Sequence, residues 1–364
     1  MRLSAVKPPR AEPPGEAFIA ATATALPEHV VTREQVKEYF GQVFPVTASR
    51  LDAMMEIVDN SEIRRRFCIL PVEELVLSRS LEKLSEEYRQ HAIRLGRQVA
   101  SDALARAAMA PREIDLIVTV SCTGVMIPSL DAHLVNDLGF RSNVRRLPIT
   151  ELGCAAGASG VAKAWEFLRA FPGKNVLLVA VELPSLTFQR GNLSQANLIS
   201  TILFGDGAAA AVLSGRPGTG PRILDAESFL FPDSIGAMGF DLKDTGFHIV
   251  LSQDVPELIR GRIRDLVRCF LSRTGLDVGG VEAFVLHPGG RKLLYAIEAE
   301  LGLSNGHTGP SWDVLREYGN LSSASVLFVL HEWLTKRRVS SGGYGLMAAF
   351  GPGFTAEQLL LRWA

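Results

Sequence analysis

Residues 114–124 read IDLIVTVSCTG, a near-continuous apolar run that ends in small polar residues. A strand without polar alternation is buried on both faces, so it belongs to a sheet covered by helices. NVLLVAVE (175–182) and GAAAAVLSG (207–215) repeat the pattern, and AFIAATATALP (17–27) reads as a further strand. Residues 82–109 have apolar residues at helical spacing and predict a long amphipathic helix. The second half has the same make-up. VEAFVLHPGG (281–290) is a strand running into a glycine turn, and RKLLYAIEAELGL (291–303) is a helix. YGLMAAFGPG (344–353) and QLLLRW (358–363) are strands. The alternation predicts an α/β fold.

The two halves share more than style. VTVS (118–121) ends a strand as FVLH (284–287) does, and the spacing from Ser121 to His287 equals that from Cys154 to Asn320. GCAAGASGVAKAW starts a small-residue helix at Cys154, and GNLSSASVLFVL starts another at Asn320. An equal offset at two places suggests a duplicated unit. The boundary falls near SGRPGTGPR (214–222), the linker richest in Gly and Pro inside the chain. The expected division is a flexible, proline-rich arm over 1–16, a first half over 17–217 and a second over 218–364. Pseudo-symmetry would then bring Cys154, His287 and Asn320 to one central cleft.

Composition narrows the function. The chain has 364 residues, 47% of them hydrophobic, which is enough for a large core. A net charge of −1 lacks the basic footprint of a nucleic-acid binder. No apolar run reaches the ~18 residues of a membrane span, so no stable membrane insertion is expected. The start, MRLSAVKPPRAEPPGEAF, has no apolar core of a signal peptide. Cys68, Cys122, Cys154 and Cys269 lie far apart, with no CxxC or metal-ligand spacing. Free thiols in a reducing cytoplasm, and no metal, are expected.

Three residues carry candidate chemistry. Gly153, Ala155, Ala156 and Gly157 flank Cys154, so backbone packs closely around the sulfur. A cysteine at a helix N-terminus feels the positive dipole end, which lowers its pKa and favours the nucleophilic thiolate. The competing reading is a small buried hydrophobe in a close-packed helix, and this segment alone does not choose between them. His287 ends an apolar strand before Pro-Gly-Gly, where open α/β folds place ligand-contacting groups; a satisfied strand-end histidine would look the same. Asn320 precedes a helix of small residues and is equally a plain N-cap candidate. The other histidines show no comparable context.

Taken together these segments resemble the type III polyketide synthases, the chalcone-synthase-like family, from about residue 17 to the C-terminus. The resemblance rests on ELGCAAG around Cys154, LFGDGAAAAVL (203–213), DTGFHIVLSQDVP (244–256), VLHPGG (285–290), YGNLSSASVLF (318–328) and AAFGPGFTAE (348–357), in that order. It implies a thiolase fold: two pseudo-symmetric αβαβα halves in five layers. It implies that Cys154 carries the starter acyl group and then the growing chain as a thioester. His287 and Asn320 would hold the malonyl-CoA carbonyl and stabilise the enolate left by decarboxylation. His287 would also help keep Cys154 as thiolate. Phe204 and Phe247 match the gatekeepers between CoA tunnel and cavity. Cys122, Thr187, Ser322 and the loop Phe350, Gly351, Pro352 and Gly353 would line the cavity or bind substrate. Ile127, before Pro128, matches the residue that reaches into the partner's cavity in a homodimer. The substrates would be acyl-CoA and malonyl-CoA, with no cofactor beyond them.

Some positions depart from the plant pattern. The stretch that meets the CoA phosphates there is less basic here, leaving Arg64, Arg65 and Arg66 as its candidates. Ala349 replaces the first glycine of the GFGPG-type motif, and SCTGVMIPSL (121–130) has Cys122 where plant enzymes have threonine. VELPSLTFQRGNLSQANLI (181–199) is more similar to alkylpyrone and alkylresorcinol synthases, which favours a long fatty acyl starter. The naphthalene and phloroglucinol formers tend to have cysteine and tyrosine where this chain has Thr187 and Phe188. The alternatives are a malonyl-primed synthase of that kind, an enzyme like ketoacyl synthase III, and an inactive thiolase-fold protein that binds acyl chains.

Overall fold

The computed structural model describes residues 14–218 and 220–364. Residues 1–13 of the expected arm lie outside the described residues. Its end is anchored: Gly15 N donates to Arg169 O (3.0 Å), and Glu16 pairs with Arg222 (2.8 Å).

The first half begins with β1 (Phe18–Ala25), β2 (His29–Thr32), α1 (Arg33–Val43), α2 (Ala48–Asn60), β3 (Arg65–Cys68) and α3 (Val72–Leu75). The long α4 (Leu81–Arg106) follows, then β4 (Leu116–Val120), α5 (Leu130–Asp137) and β5 (Arg145–Ile149). It ends with α6 (Ala156–Ala170), β6 (Asn175–Glu182), α7 (Gln195–Leu203) and β7 (Gly207–Ser214). The second half has β8 (Arg222–Leu230), the hairpin β9 (Met238–Lys243) and β10 (Gly246–Leu251), α8 (Val255–Arg260) and α9 (Ile263–Ser272). Then come β11 (Val281–Leu286), α10 (Arg291–Leu301), α11 (Asn305–Tyr318), α12 (Ala324–Thr335), β12 (Tyr344–Gly351) and β13 (Thr355–Arg362).

Nine strands form one sheet in the order β11-β12-β13-β8-β1-β7-β6-β4-β5. The order is one pattern written twice about the β8/β1 junction. In each half the first strand pairs antiparallel with the last, β1 with β7 and β8 with β13. The last pairs antiparallel with its predecessor, β6 or β12. That strand pairs parallel with β4 or β11. The halves join across the junction at the Phe18–Arg222 pair, where Ile19 N donates to Pro221 O (2.9 Å) and Ile223 N to Ala17 O (2.9 Å). Among the described residues β5 has no counterpart in the second half.

Every residue of β4, β6 and β7 is buried, as unbroken apolar runs require. Alternation sends Leu177, Val179 and Val181 toward α4, and Val176, Leu178 and Ala180 toward α6 and α12. The apolar runs report two-sided burial and not strand direction, since β6 is parallel to β4 but antiparallel to β7. The layers are therefore α4 with α5, one half-sheet, the central pair α6 and α12, the other half-sheet, and the outer helices α9 and α10. This is a thiolase fold. The central pair touches because Gly157 has no side chain: a Cβ there would lie 2.1 Å from Ser323 O.

A smaller cluster sits beside the first half. Thr32 caps α1 through a capping box with Gln35, and Val36, Phe40 and Val43 then face inward at helical spacing. They pack with Phe44, Val58 and Cys68, and with Leu198 and Ile202 of α7.

Candidate active site

Cys154 sits in a 3₁₀ turn, Gly153–Ala155, between β5 and α6. Two glycines set that turn against the loop after β12. Gly153 has φ +48°, and a Cβ there would lie 2.5 Å from Pro352 Cδ. A Cβ on Gly351 would lie 2.4 Å from Leu152 O. The sulfur is buried and lies 3.5 Å from Ser322 Oγ.

Asn320 lies in the segment that leads into α12. Its backbone is tied to the end of α7, with Asn320 N donating to Leu203 O (2.9 Å) and Gly205 N to Asn320 O (3.1 Å). Its Oδ1 accepts from Ser322 N (2.8 Å) and Ser325 Oγ (3.3 Å). Its Nδ2 donates to Gly289 O (3.3 Å). An amide nitrogen has two hydrogens, so one donor remains for the cleft. Asn320 is thus three residues before the cap of α12, which is Ser323. It makes an Asx turn onto Ser322, itself held at φ +50°.

His287 follows β11 and is 1% exposed. Its N–H donates to Ala348 O (2.9 Å), which extends the ladder with β12. Gly289 packs under the ring, and through Gly289 O the histidine turn meets the Asn320 amide. Nδ1 is buried and has no protein partner among the described residues.

Burial decides the protonation states. It pushes the Cys154 thiol up to about 12, against the opposing effect of its hydrogen bond with Ser322. It pulls the His287 imidazole down to about 3. At rest the thiol and the imidazole are both neutral. The sequence predicts a lowered thiol pKa from the helix dipole, and the structure gives the opposite sign. Desolvation of a buried charge outweighs the dipole of a helix end.

A buried carboxyl, Glu182 at the end of β6, lies beneath. It accepts from Cys122 N (3.1 Å), Thr123 Oγ1 (2.8 Å) and Ser323 Oγ, and its pKa is raised by burial. Cys122 Sγ lies 3.4 Å from Ser322 Oγ, so Cys122 and Cys154 share one hydroxyl. Burial, with Glu182 next, holds the Cys122 thiol well above its usual range.

Cys154, Cys122, Ser322, Thr187, Phe204 and Pro352 line one cavity of about 30 Å³. Met238 and Phe240 of β9, and Ile249 of β10, close its far side. Sequence reasoning missed these three and Glu182. A carboxylate ending an apolar strand was the available signal for Glu182, but the hairpin residues carry none. Phe247 sits one layer back, with its ring 5.6 Å from that of Phe240. Phe350 faces the outer core and stacks on Phe354, because strand alternation turns it away from the cleft. Gly353 lies against Leu230. Ile127 is 95% exposed on a surface loop. Arg64 and Arg65 both pair with Glu317, while Arg66 is buried and cannot meet a surface phosphate.

A second cavity, of about 100 Å³, adjoins the first and shares Pro184, Thr187 and Phe204 with it. Its walls are the inward face of α1, residues of α3, and Phe188. Among the described residues no helix is long and apolar enough to cross a membrane.

A thiolase fold with a buried cysteine beside Ser322, and an asparagine amide that meets the turn of a buried histidine, points to the class of acyl-transferring condensing enzymes. The chain belongs to the chalcone and stilbene synthases: the family's N-terminal domain matches residues 8–217 and its C-terminal domain residues 222–364. It is therefore a type III polyketide synthase, a transferase that works by decarboxylative Claisen condensation on CoA thioesters, without a further cofactor. It is 34% identical to a putative chalcone synthase of Bacillus subtilis, over 95% of this chain and 99% of the relative. It is 36% identical to the 1,3,6,8-tetrahydroxynaphthalene synthase of Streptomyces peucetius, over 95% and 93%. The solved tetrahydroxynaphthalene synthase of Streptomyces coelicolor superposes with a TM-score of 0.92 at 35% identity, covering 95% of this chain and 99% of that one.

Proposed function

We propose that the enzyme loads a long-chain fatty acyl group from CoA onto Cys154, extends it with malonyl-CoA and closes it to an alkylpyrone or alkylresorcinol. The carrying observation is the second cavity, an apolar chamber that meets the Cys154 cavity at Thr187 and Phe204. A chain held on Cys154 would pass these two residues and bury its tail among Val36, Phe40, Val43 and Phe188.

In this reading Cys154 attacks the acyl-CoA carbonyl as its proton passes to His287, which returns it to the departing sulfur so that CoA leaves as the thiol. A neutral thiol–imidazole pair suits that order, because charge forms only when substrate arrives. Malonyl-CoA then loses carbon dioxide. The enolate oxygen takes hydrogen bonds from the free Asn320 donor and from His287. The enolate carbon attacks the acyl thioester, a carbon–carbon bond forms, and the Cys154 sulfur leaves. Phe204 would act as a gate between the two cavities, with Phe247 supporting Phe240. We further propose a homodimer in which Ile127 reaches the partner, and a cytoplasmic location, which the four free thiols support.

The alternative is a malonyl-primed synthase like the tetrahydroxynaphthalene and phloroglucinol synthases among its relatives. A series of acyl-CoA starters of rising length, with products read by mass spectrometry, separates the two. Each buried methylene adds about 0.8 kcal/mol, so apparent affinity should rise stepwise and then level off when the chamber is full. A main product from malonyl-CoA alone, with long starters ignored, would establish the alternative.

A further inference from the structure

The second cavity holds a charge that its apolar walls do not explain. Arg66 points inward because β3 alternates: Arg65 is exposed, while Arg66 and Cys68 face the interior. Arg66 is 4% exposed and lines the chamber. Its Nη1 donates to Thr201 O (2.6 Å) at the end of α7, which uses one of five donors. Its Nε is buried with no partner among the described residues. Arg66 pairs with no carboxylate among the described residues; burial lowers its pKa to about 10, with the neighbouring Cys68 opposing, so it stays protonated at neutral pH.

The hydroxyls of the wall are already engaged. Tyr39 OH donates to Glu73 (3.0 Å), and Thr187 Oγ1 to Pro184 O (2.8 Å). Ser185 Oγ donates to Asp206 (2.5 Å), and Ser200 Oγ and Thr201 Oγ1 donate to Asn197 O. The chamber therefore offers apolar wall and one unused charged donor. A buried guanidinium without a counter-ion is strongly unfavourable. Its planar edge matches a carboxylate. One positive charge in an apolar chamber suits a monoanion better than a phosphate dianion.

We propose that this chamber binds an apolar chain ending in a carboxylate, with the Nε edge of Arg66 as the carboxylate's partner. Two sources share that chemistry. One is a free fatty acid, held beside the Cys154 cavity and blocking the path of a starter tail. The other is an ω-carboxyacyl starter, thioester on Cys154 and carboxylate on Arg66. The second source rests on the reading that Cys154 is acylated, and the first does not.

Two arms test the proposal on the full chain. In the first, calorimetry compares decanoate with decanol. In the second, intact-protein mass spectrometry compares loading from suberyl-CoA and octanoyl-CoA, which differ only in the terminal carboxylate. The expected result is a preference for the carboxylate of about tenfold or more in at least one arm, abolished in Arg66→Gln. The arm that shows it names the source. No preference in either arm overturns the proposal, as does a preference that Arg66→Gln leaves intact. If Arg66→Gln does not fold, the wild-type comparisons still decide, and Arg66→Lys, which keeps the charge without the planar edge, replaces it. Octanoyl-CoA loading with both carboxylates refused would sink this proposal and leave the starter reading standing. Decanoate binding with no loading from either thioester would do the reverse.

Discussion

Cys154 and Asn320 stand at the starts of α6 and α12, equivalent helices in two halves built on one strand order. The two positions are treated oppositely. Asn320 is held by four hydrogen bonds besides its Asx turn: two from its backbone, one into its Oδ1 from Ser325 and one from its Nδ2. Cys154 has only weak contacts at sulfur, with the Ser322 hydroxyl and the Asn320 amide. One copy of the unit supplies a fixed donor and the other a group left free to react. Duplication makes this division possible, because the two starts meet at the close approach of Gly157 and Ser323 while each keeps its own turn.

The comparison predicts different losses at its two ends. Cys154→Ala should abolish covalent loading by acyl-CoA, read as the absence of a mass adduct, with the circular dichroism spectrum unchanged. Asn320→Ala should leave loading nearly normal and slow malonyl-CoA decarboxylation by about 10²–10³, the usual loss for one oxyanion donor. If Asn320→Ala instead stops loading as completely as Cys154→Ala, the amide serves to hold the sulfur and the proposed division fails.

Much of this was legible in the sequence for a definite reason. Apolar strands with no alternation report burial on both faces, and β4, β6, β7 and β11 lie where the runs place them. The helix predicted over 82–109 is α4, Leu81–Arg106. Cys154, His287 and Asn320 stood out as polar residues at the ends of apolar elements; Asn320 meets the histidine turn at Gly289 O, and Cys154 lies against Ser322, two residues beyond Asn320. What sequence could not show is depth. The run Arg64-Arg65-Arg66 reads as a surface basic cluster, yet strand alternation buries the third arginine and leaves the second outside. Depth also reverses the expected thiol pKa, since a dipole is visible as a helix start and desolvation is not. Phe350 failed to reach the cavity wall because a motif names residues without saying which face of the strand they take.

The thiol itself can be tested through its reaction with iodoacetamide. With Cys154 pushed up to about 12 and His287 down to about 3, no ion pair forms at rest. The alkylation rate of Cys154 should climb about tenfold per pH unit from pH 7 to 10, without a plateau. His287→Ala should leave that slope unchanged. A plateau below about pH 8.5, lost in His287→Ala, would mean a resting thiolate–imidazolium pair, and burial would not be the deciding influence.

A second equivalent pair gives the smallest effect and the sharpest comparison. Ser121 and His287 end corresponding strands, β4 and β11. Ser121 Oγ accepts from Tyr88 OH (2.7 Å), whereas His287 Nδ1 has no protein partner among the described residues. A folded-state pKa near 3 lies below the unfolded value of about 6.5, so between these limits the unfolded chain binds the extra proton. Stability from the neutral imidazole is complete above pH 6.5 and is lost as pH falls toward 3. The slope can reach about 1.4 kcal/mol per pH unit in that window. His287→Gln cannot titrate and should flatten this acid limb in urea midpoints measured from pH 7 to 4. Ser121→Ala should shift the midpoints by a constant amount and leave the slope alone, because a hydroxyl has no proton to gain. Equal slopes in wild type and His287→Gln would show that the histidine is not kept neutral by burial, and the proton acceptor proposed for Cys154 would then be charged before substrate arrives.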